Sequence, residues 1–239
     1  MGHCSRSQAA VLIRAGRVSV NRRKMIDPET PIRMDQRWNP QDWKLQEKIA
    51  VDGTLLAHAP LIYLVLNKPR GVVTTASDEK GRATVYDLLD PGLPWVGPVG
   101  RLDKASEGLL FLTNDSKWAA KITNPSSHLD KKYHVQVDCV ANADLVKKVV
   151  RGIAAGGEHL RAKSAHLLRH GEKNSWLEII LDEGKNRQIR RLLEALDVQV
   201  LRLVRVSIGP VDLGDLKKGA VRRLTPEEKK QIDRALGAC

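Results

Sequence analysis

The stretch GRLDKASEGLLFLTND, residues 100–115, joins a charged half to an apolar half. The apolar half predicts a buried strand, whereas the charged half places one carboxylate, Asp103, between Arg101 and Lys104. An ionised carboxylate among cations can act as a nucleophile or a base on an anionic substrate that those cations attract. On the local sequence alone, however, an ordinary surface salt bridge is the better explanation of Asp103.

A second acid in the same stretch, Glu107, leaves two interpretations open. It lies four residues after Asp103, and a pair of nearby carboxylates is typical of glycoside chemistry. It also lies three residues after Lys104, so a simple ion pair explains it as well.

The chain as a whole is strongly basic. It has 239 residues, 42% of them hydrophobic, which predicts a globular rather than a disordered protein. Its 40 Lys and Arg against 28 Asp and Glu give a net charge of +12 and a pI of about 9.8. This balance predicts a polyanionic partner, with nucleic acid as the first expectation and an anionic membrane surface as the second.

Cysteine usage and apolar runs bear on the compartment. The three cysteines, at positions 4, 139 and 239, are far apart, and their odd number indicates a reducing compartment. The N-terminus shows no apolar signal region, and the longest apolar run, LIYLVL, is too short to span a bilayer. We therefore expect a cytoplasmic protein without membrane association. Without a GxxxxGKS, GxxxxGKT, GxGxxG or HExxH motif, we expect no cofactor and no metal.

The first 24 residues hold six basic residues and no acid. SRSQAAVLIRAG predicts a helix that Ser5 or Ser7 caps and Gly16 ends. RVSVN and KIAV predict strands, separated by the turn DPETP and followed by a turn at Asp52 and Gly53. Residues 1–57 are thus predicted to form a small α+β unit, whose density of basic residues favours RNA binding over a solvated face. The basic residues are Arg6, Arg14, Arg17, Arg22, Arg23 and Lys24.

After the linker AHAP, residues 58–239 mix strands and helices without regular alternation. LIYLVLN, GLLFLTND, KYHVQV, WLEIIL and QVLRLVRVSIGPV predict strands, VVTT is a β-branched run, and TVYDLL could open a short helix. SKWAAKIT, LVKKVVRGI and GKNRQIRRLLEAL predict helices, the first capped by Asn114 or Asp115 and the last by Asn186. This order predicts an α+β domain with a mostly antiparallel mixed sheet and flanking helices.

The segment EGKNRQIRRLLEAL places arginines near a helix start. Its predicted core stripe is Ile189, Leu192, Leu193 and Leu196, which leaves three arginines on the flanks and outer face: Arg187, Arg190 and Arg191. Cations there oppose the helix dipole unless an anion compensates. RNA phosphate or the carboxylate of Asp103 could supply that anion, and a solvated face remains a reasonable explanation for Arg191.

Tyr133 has two interpretations that composition cannot separate. It shares a predicted strand face with Val135 and Val137, as a core tyrosine would. Its flanking Lys131 and Lys132 fit a tyrosine that stacks on a nucleic-acid base.

Four segments in order resemble the motifs of RNA pseudouridine synthases, in the branch that modifies ribosomal RNA. They are LNKPRGVVTT, GRLDKASEGLLFLTND, KKYHVQV, and EGKNRQIRRLLEAL followed by VLRLVRVSIGP, and the resemblance covers roughly residues 61–228. SRSQAAVLIRAGRVSVN resembles the S4 RNA-binding module that precedes the catalytic domain in this branch. The module is expected to be shortened at its N-terminus, because the chain starts at MGHC, and QRWNPQDWKLQEK is not typical of it.

The resemblance implies an enzyme that converts uridines of ribosomal RNA to pseudouridine without a cofactor. It implies that Asp103 is catalytic, attacking the ribose or taking a ribose proton. Tyr133 would stack on the base and is a candidate for assisting proton removal, and Arg190 would pair with and orient Asp103. Lys68 and Pro69 match a motif that is mainly structural. Besides the N-terminal cations, the residues expected to contact RNA are Arg101, Lys104, Lys185, Arg187 and Arg191.

The expected partner is ribosomal RNA, bound by a monomer. One alternative is a non-catalytic RNA-binding or ribosome-assembly factor that keeps the fold, and the intact Asp103, Tyr133 and Arg190 argue against it. Another is a fragment of a tRNA synthetase, because those enzymes can carry S4 modules. The lack of HIGH-like and KMSKS-like signatures argues against that alternative.

Overall fold

The structure is a computed structural model that describes residues 3–32, 48–57, 59–76 and 78–237. Most of the segment QRWNPQDWKLQEK therefore lies outside the described residues. The chain divides into two compact units, one formed by residues 1–61 with 92–97 and the other by residues 62–91 with 98–239. The domain boundary predicted between residues 57 and 58 stays a prediction.

The first unit is a short helix with a small antiparallel sheet. Helix α1 (Arg6–Arg14) begins at Ser5, whose hydroxyl accepts from the backbone N–H of Gln8 while the Gln8 side chain accepts from that of Ser5. This reciprocal capping confirms one of the two predicted caps. Strands β1 (Val18–Val20), β2 (Arg23–Met25), β3 (Ile49–Val51) and β4 (Thr54–Leu55) lie in the order β2-β1-β3-β4. The predicted strands and the turn at Asp52 and Gly53 are confirmed.

The remaining elements follow β4 along the chain, and among them β9 and β10 form a separate two-stranded sheet. The strands are β5 (Tyr63–Lys68), β6 (Gly97–Pro98), β7 (Glu107–Thr113), β8 (Lys131–Val137), β9 (Ile153–Ala155), β10 (Glu158–Leu160), β11 (Ser164–His170), β12 (Ser175–Leu181), β13 (Val200–Ile208), β14 (Val211–Asp212) and β15 (Val221–Arg223). The helices are α2 (Ser116–Thr123), α3 (Ala143–Arg151), α4 (Gln188–Glu194) and α5 (Pro226–Ala235), with 3₁₀ turns at Val85–Leu88 and Pro125–Ser127.

The second unit is built on one mixed sheet. Its main strand order is β11-β12-β8-β13-β7-β5-β15, and every neighbouring pair in that order is antiparallel except β7 with β13. The parallel pair brings Gly108 against Arg205. Gly108 has φ of +104°, and a Cβ there would lie 2.2 Å from the Arg205 carbonyl oxygen. A side chain at this position is thus excluded, and the predicted, mostly antiparallel mixed sheet is confirmed.

Two apolar clusters hold the second unit together. One packs the buried side chains of β8 and β12, such as Val135 and Leu177, against α3 and α4. The other gathers Val65, Phe111 and Trp118 around α2 and α5. The two clusters pack helices against different strands of the sheet, and so they hold in place the strands that carry the site. No described helix is both long enough and apolar enough to cross a membrane.

Several local predictions need correction. The β-branched run VVTT contributes only an isolated bridge between Val73 and Thr84. Helix α4 is not capped by Asn186: its N-cap is Arg187, which makes no side-chain capping hydrogen bond. Helix α4 also ends at Glu194, so Leu196 packs on the core from beyond the helix. Strand β11 and helix α5 were not predicted, whereas Asp115 caps α2 as expected.

Candidate active site

A buried lysine holds the loop that carries Asp103. Lys68 ends β5, is fully buried, and donates from Nζ to the carbonyl oxygens of Pro69, Asp103 and Ser106 at 3.0, 3.2 and 2.9 Å. An ammonium group has three N–H donors, so these three bonds use all of them. Lys68 therefore ties the loop between residues 103 and 106 to the end of β5.

Burial also changes the charge equilibrium of Lys68. Removal from water is the main cause that lowers the pKa of its ammonium group to about 8, and the nearby charge of Arg205 acts in the same direction. The negative charges of Asp103 and Glu107 oppose this lowering. The carboxylate of Asp103 is thus close enough to Lys68 to be felt electrostatically, although the hydrogen bond between the two residues runs through the backbone.

Asp103 lines a cleft of about 550 Å³ in the second unit. The residue is partly exposed, and its carboxylate has no hydrogen bond or ion pair with any residue that the structure describes. The surface salt bridge that the local sequence favoured is therefore not formed in the described part of the chain. The Asp103 carboxylate is instead open to a ligand that enters the cleft.

The charged and aromatic side chains on the sheet wall of this cleft are Lys131, Tyr133 and Arg205, and Leu181, Leu203 and Ile208 line the same wall. Tyr133 pairs directly with Arg205 across β8 and β13, so their side chains lie on the same face of the sheet. Arg205 is only 6% exposed and donates from Nε to the carbonyl oxygen of Leu109 at 2.7 Å. Burial lowers the pKa of Lys131, and the charge of Arg205 lowers it further. The sheet wall therefore combines one aromatic ring with two neighbouring cations.

Arg190 contacts the Asp103 loop without forming an ion pair with the Asp103 carboxylate. Its Nη2 donates to the carbonyl oxygen of Ala105 at 3.1 Å and its Nη1 lies 3.5 Å from that of Val200. Burial lowers the pKa of Arg190, with further lowering by Arg187 and Arg70, whereas the charge of Asp103 opposes it. The predicted side-chain pairing of Arg190 with Asp103 is therefore not formed in this structure, which shows a backbone contact with Ala105 and a longer-range attraction instead.

A strained residue presents a cation at the entrance of α4. Arg187 is exposed, lines the cleft and has φ of 48°, a left-handed conformation that is unfavourable for residues with a Cβ. The loop is held by the buried Gln188, whose side chain accepts from the Lys185 N–H and donates to the Arg161 carbonyl and the Glu183 carboxylate. These contacts, rather than a cap from Asn186, position the start of α4.

The predicted RNA-contacting residues separate into three groups. Arg101, Lys185 and Arg187 line the cleft together with Asp103 and Tyr133. Lys104 and Arg191 are outside its lining, and Arg191 binds the Glu158 carboxylate at 2.6 Å and the Ala155 carbonyl at 3.0 Å.

The third group lies in the first unit and is described with that unit alone. Arg6 and Arg14 are on α1, Arg22 follows β1, and Arg23 and Lys24 are on β2. Arg17 forms an ion pair with Asp52 at 2.5 Å.

Glu107 is neither a partner of Lys104 nor a second carboxylate in the cleft. It is 3% exposed and is bound by Arg202 at 3.0 Å and Lys218 at 2.6 Å. Burial raises the pKa of Glu107, but the hydrogen bonds from Arg202 and Lys218 outweigh it, and the pKa is lowered overall. This ionised, paired carboxylate excludes the two-carboxylate arrangement for glycoside chemistry.

Two residues of the site were missed from the sequence. The alternation in KKYHVQV places Lys131 on the face of Tyr133 and could have found it. Arg205 had no comparable signal, because its neighbours Leu109 and Tyr133 come from segments that are far away in the sequence.

The chain that carries this cleft is similar to known RNA pseudouridine synthases. A family model described as RNA pseudouridylate synthase matches residues 62–195, which include Asp103, Tyr133 and Arg190. Ribosomal large subunit pseudouridine synthase B of Bacillus subtilis (strain 168) is 34% identical, over 97% of this chain and 91% of that protein. An uncharacterised RNA pseudouridine synthase of Rickettsia typhi is 36% identical, over 97% of this chain and 90% of that protein. A crystal structure of a pseudouridylate synthase matches with a TM-score of 0.65 and 30% identity, over 95% of this chain and 94% of that one.

Proposed function

Because the chain belongs to the RNA pseudouridine synthase family, and is thus an isomerase acting on RNA, we propose that it modifies uridine in ribosomal RNA with Asp103 as the catalytic residue. The observation that carries this proposal is the position of the Asp103 carboxylate, which has no partner among the described residues and lies in a cleft that also holds Tyr133 and several cations. A carboxylate in such a position is available to a substrate.

The chemistry moves one bond and one proton. Asp103 attacks the ribose of the target uridine, or takes a proton from it, and the C1′–N1 bond breaks with its electron pair going to the uracil ring. The ring then rotates and C5 bonds to C1′. In the first route this step displaces the Asp103 carboxylate from C1′, and in the second Asp103 returns the proton to the ribose. The proton on C5 is lost and N1 gains one, so the product is an isomer of the substrate and no oxidant or reductant is consumed.

The cleft suits a base that has left its helix. A base inside a duplex cannot rotate, so the target nucleotide must be unstacked and taken into a pocket. Tyr133 supplies an aromatic ring on the sheet wall on which the base can stack. Arg101 and Arg187 are exposed and can meet the phosphates on either side of it.

The choice of ribosomal RNA rests on the relative from Bacillus subtilis, whose name states a large ribosomal subunit target. We propose the same class of substrate here, with residues 1–57 acting as a shortened S4-like module that adds affinity. We also propose a monomer as the active form. We place its action in the cytoplasm, where ribosomal RNA would be the available polyanion.

The test is the variant Asp103→Asn. The amide is nearly isosteric but is neither a nucleophile nor an effective base, so the rate should fall to background. Binding of unmodified RNA should persist, because phosphate contacts dominate affinity and come from other residues. Tritium release from ribosomal RNA labelled at uracil C5 measures the rate, and filter binding on the same RNA measures affinity.

Two results would decide against the assignment. Substantial tritium release by the asparagine variant would exclude Asp103 as the catalytic group. Loss of both activity and RNA binding would instead indicate that Asp103 serves to hold the loop. Mapping pseudouridine in ribosomal RNA from cells with and without the gene then identifies the target position, and an unchanged map would remove ribosomal RNA as the substrate.

A further inference from the structure

Arg205 carries a hydrogen-bond donor for which the described residues offer no acceptor. Its Nε binds the Leu109 carbonyl, but its Nη2 is buried and has no partner among the residues that the structure describes. A buried donor without an acceptor is unfavourable, and such groups are rare in folded proteins unless a ligand or water satisfies them. Since Arg205 also lines the cleft, a substrate atom is the natural acceptor.

The position of Arg205 relates this donor to the target base. Arg205 and Tyr133 are direct cross-strand partners, and such pairs have Cβ atoms about 5 Å apart. On the proposed function, Tyr133 stacks on the base. A ring lying on Tyr133 would therefore have its edge beside the Arg205 guanidinium.

The burial of Arg205 favours the base over a phosphate as its ligand. Phosphate groups remain near solvent and meet exposed cations such as Arg101 and Arg187. Arg205 is 6% exposed and lies on the sheet wall, where an extruded uracil presents its carbonyl oxygens. The acceptor that best fits a buried guanidinium N–H beside an aromatic ring is therefore a carbonyl oxygen of the base.

We propose that Arg205 donates a hydrogen bond to a carbonyl oxygen of the target uracil and stabilises the charge that develops when the C1′–N1 bond breaks. The inference rests on the proposed function. Heterolysis leaves the bonding pair on the ring, so negative charge spreads from N1 onto the oxygens at C2 and C4. It disappears when C5 has bonded to C1′, C5 has lost its proton and N1 is protonated. A donor that binds the anionic ring more strongly than neutral uracil lowers the barrier.

The first experiment compares Arg205→Lys and Arg205→Met with the native enzyme in single turnover, on a synthetic RNA that spans the mapped target. Arg205→Met should react roughly 100- to 1000-fold more slowly at saturating RNA, as for loss of one oxyanion donor, with Arg205→Lys in between. RNA affinity should stay within about twofold, because no phosphate contact is removed. Arg223→Gln, an exposed arginine on β15, is the control and should match the native rate.

The second experiment separates this role from a merely structural one. The same RNA is prepared with 2-thiouridine or 4-thiouridine at the target, since sulfur is a weaker hydrogen-bond acceptor than oxygen. For one of the two positions, the sulfur substitution should slow the native enzyme but slow Arg205→Lys no further. If, at both positions, the sulfur substitution slowed Arg205→Lys by the same factor as the native enzyme, the inference would be overturned. A native enzyme inactive on the uridine RNA would instead refute the proposed function.

Discussion

Arg190 contacts the loop of Asp103, the residue that we propose as catalytic, through the backbone. Its Nη2 binds the carbonyl oxygen of Ala105, two residues after Asp103, and its Nε is buried without a partner among the described residues. The guanidinium therefore fixes the loop and adds positive potential near Asp103 without neutralising it directly. Lys68 also holds this loop, through the carbonyl oxygens of Asp103 and Ser106.

The planar fork of Arg190 should matter more than its charge. Arg190→Lys keeps the cation but cannot span the carbonyl oxygens of Ala105 and Val200. We expect the rate at saturating RNA to fall roughly 10- to 100-fold, with RNA affinity little changed, as measured by single-turnover tritium release and filter binding. Arg222→Lys, which disturbs a two-point contact with Glu228 instead, is the matched control. If Arg190→Lys lost binding but kept its saturated rate, Arg190 would be a phosphate contact.

Titration of Lys68 should set an alkaline limit on activity. Above pH about 8 its ammonium group loses a proton, so the three carbonyl oxygens it binds have one donor fewer and the Asp103 loop is held less firmly. The saturated rate should therefore fall between about pH 8 and pH 9. A flat rate over this range would contradict this role of Lys68.

The same titration has the opposite effect on stability. The pKa of Lys68 is lower in the folded chain than its ordinary value of 10.5, so between these values the unfolded chain binds more protons. This group's contribution to the free energy of unfolding thus rises with pH in that window. We therefore expect activity to fall above pH about 8 while the contribution of Lys68 to the free energy of unfolding, measured by urea unfolding, does not fall. Lys68→Met has no amine to titrate, so its activity should not show this alkaline decrease.

At the scale of elements, local signals predicted most of the fold but little of what positions the site. The alternation in β8 and the Asp115 cap of α2 depend on neighbours in sequence, and both were predicted. The resemblance to the family motifs predicted Asp103 and Tyr133 as site residues, and both line the cleft. The three-carbonyl contact of Lys68 and the strand pairing of Arg205 depend on β7 and β8 arriving from elsewhere, so no local pattern could show them.

The start of α4 places a positively charged residue at the cleft in a backbone conformation that lowers stability. Arg187 adopts φ of 48° and gives no side-chain cap, whereas asparagine tolerates this conformation better and loses the charge. Arg187→Asn should raise the free energy of unfolding by up to about 1 kcal/mol and weaken RNA binding. Its log–log salt slope should become shallower by about one phosphate contact. Urea unfolding and filter binding at several salt concentrations measure both effects, and unchanged affinity would remove Arg187 from the RNA-contacting set.

At the scale of the whole molecule, the charge of +12 has to be assigned to RNA contacts or to solvent. The cleft accounts for only some of it, because Arg191, Arg202 and Lys218 are bound by carboxylates of the protein. The first unit holds a separate basic cluster, defined here as Arg14, Arg22, Arg23 and Lys24, for which no ion pair appears in the described part of the chain. By contrast, Arg17 in the same unit is paired with Asp52.

This basic cluster should add affinity without adding chemistry. Replacing its four members by glutamine should weaken binding to ribosomal RNA and reduce the salt slope by up to about three, at roughly 0.7 to 0.9 per phosphate contact. The rate at saturating RNA should remain native, because none of the four lines the cleft. Arg17→Gln is the internal control: its charge is already met by Asp52, so it should change the slope by less than any free cation does. A quadruple variant with an unchanged slope would show that the first unit does not contact RNA phosphates through this cluster, and a lower saturated rate would show that the unit takes part in assembling the active site.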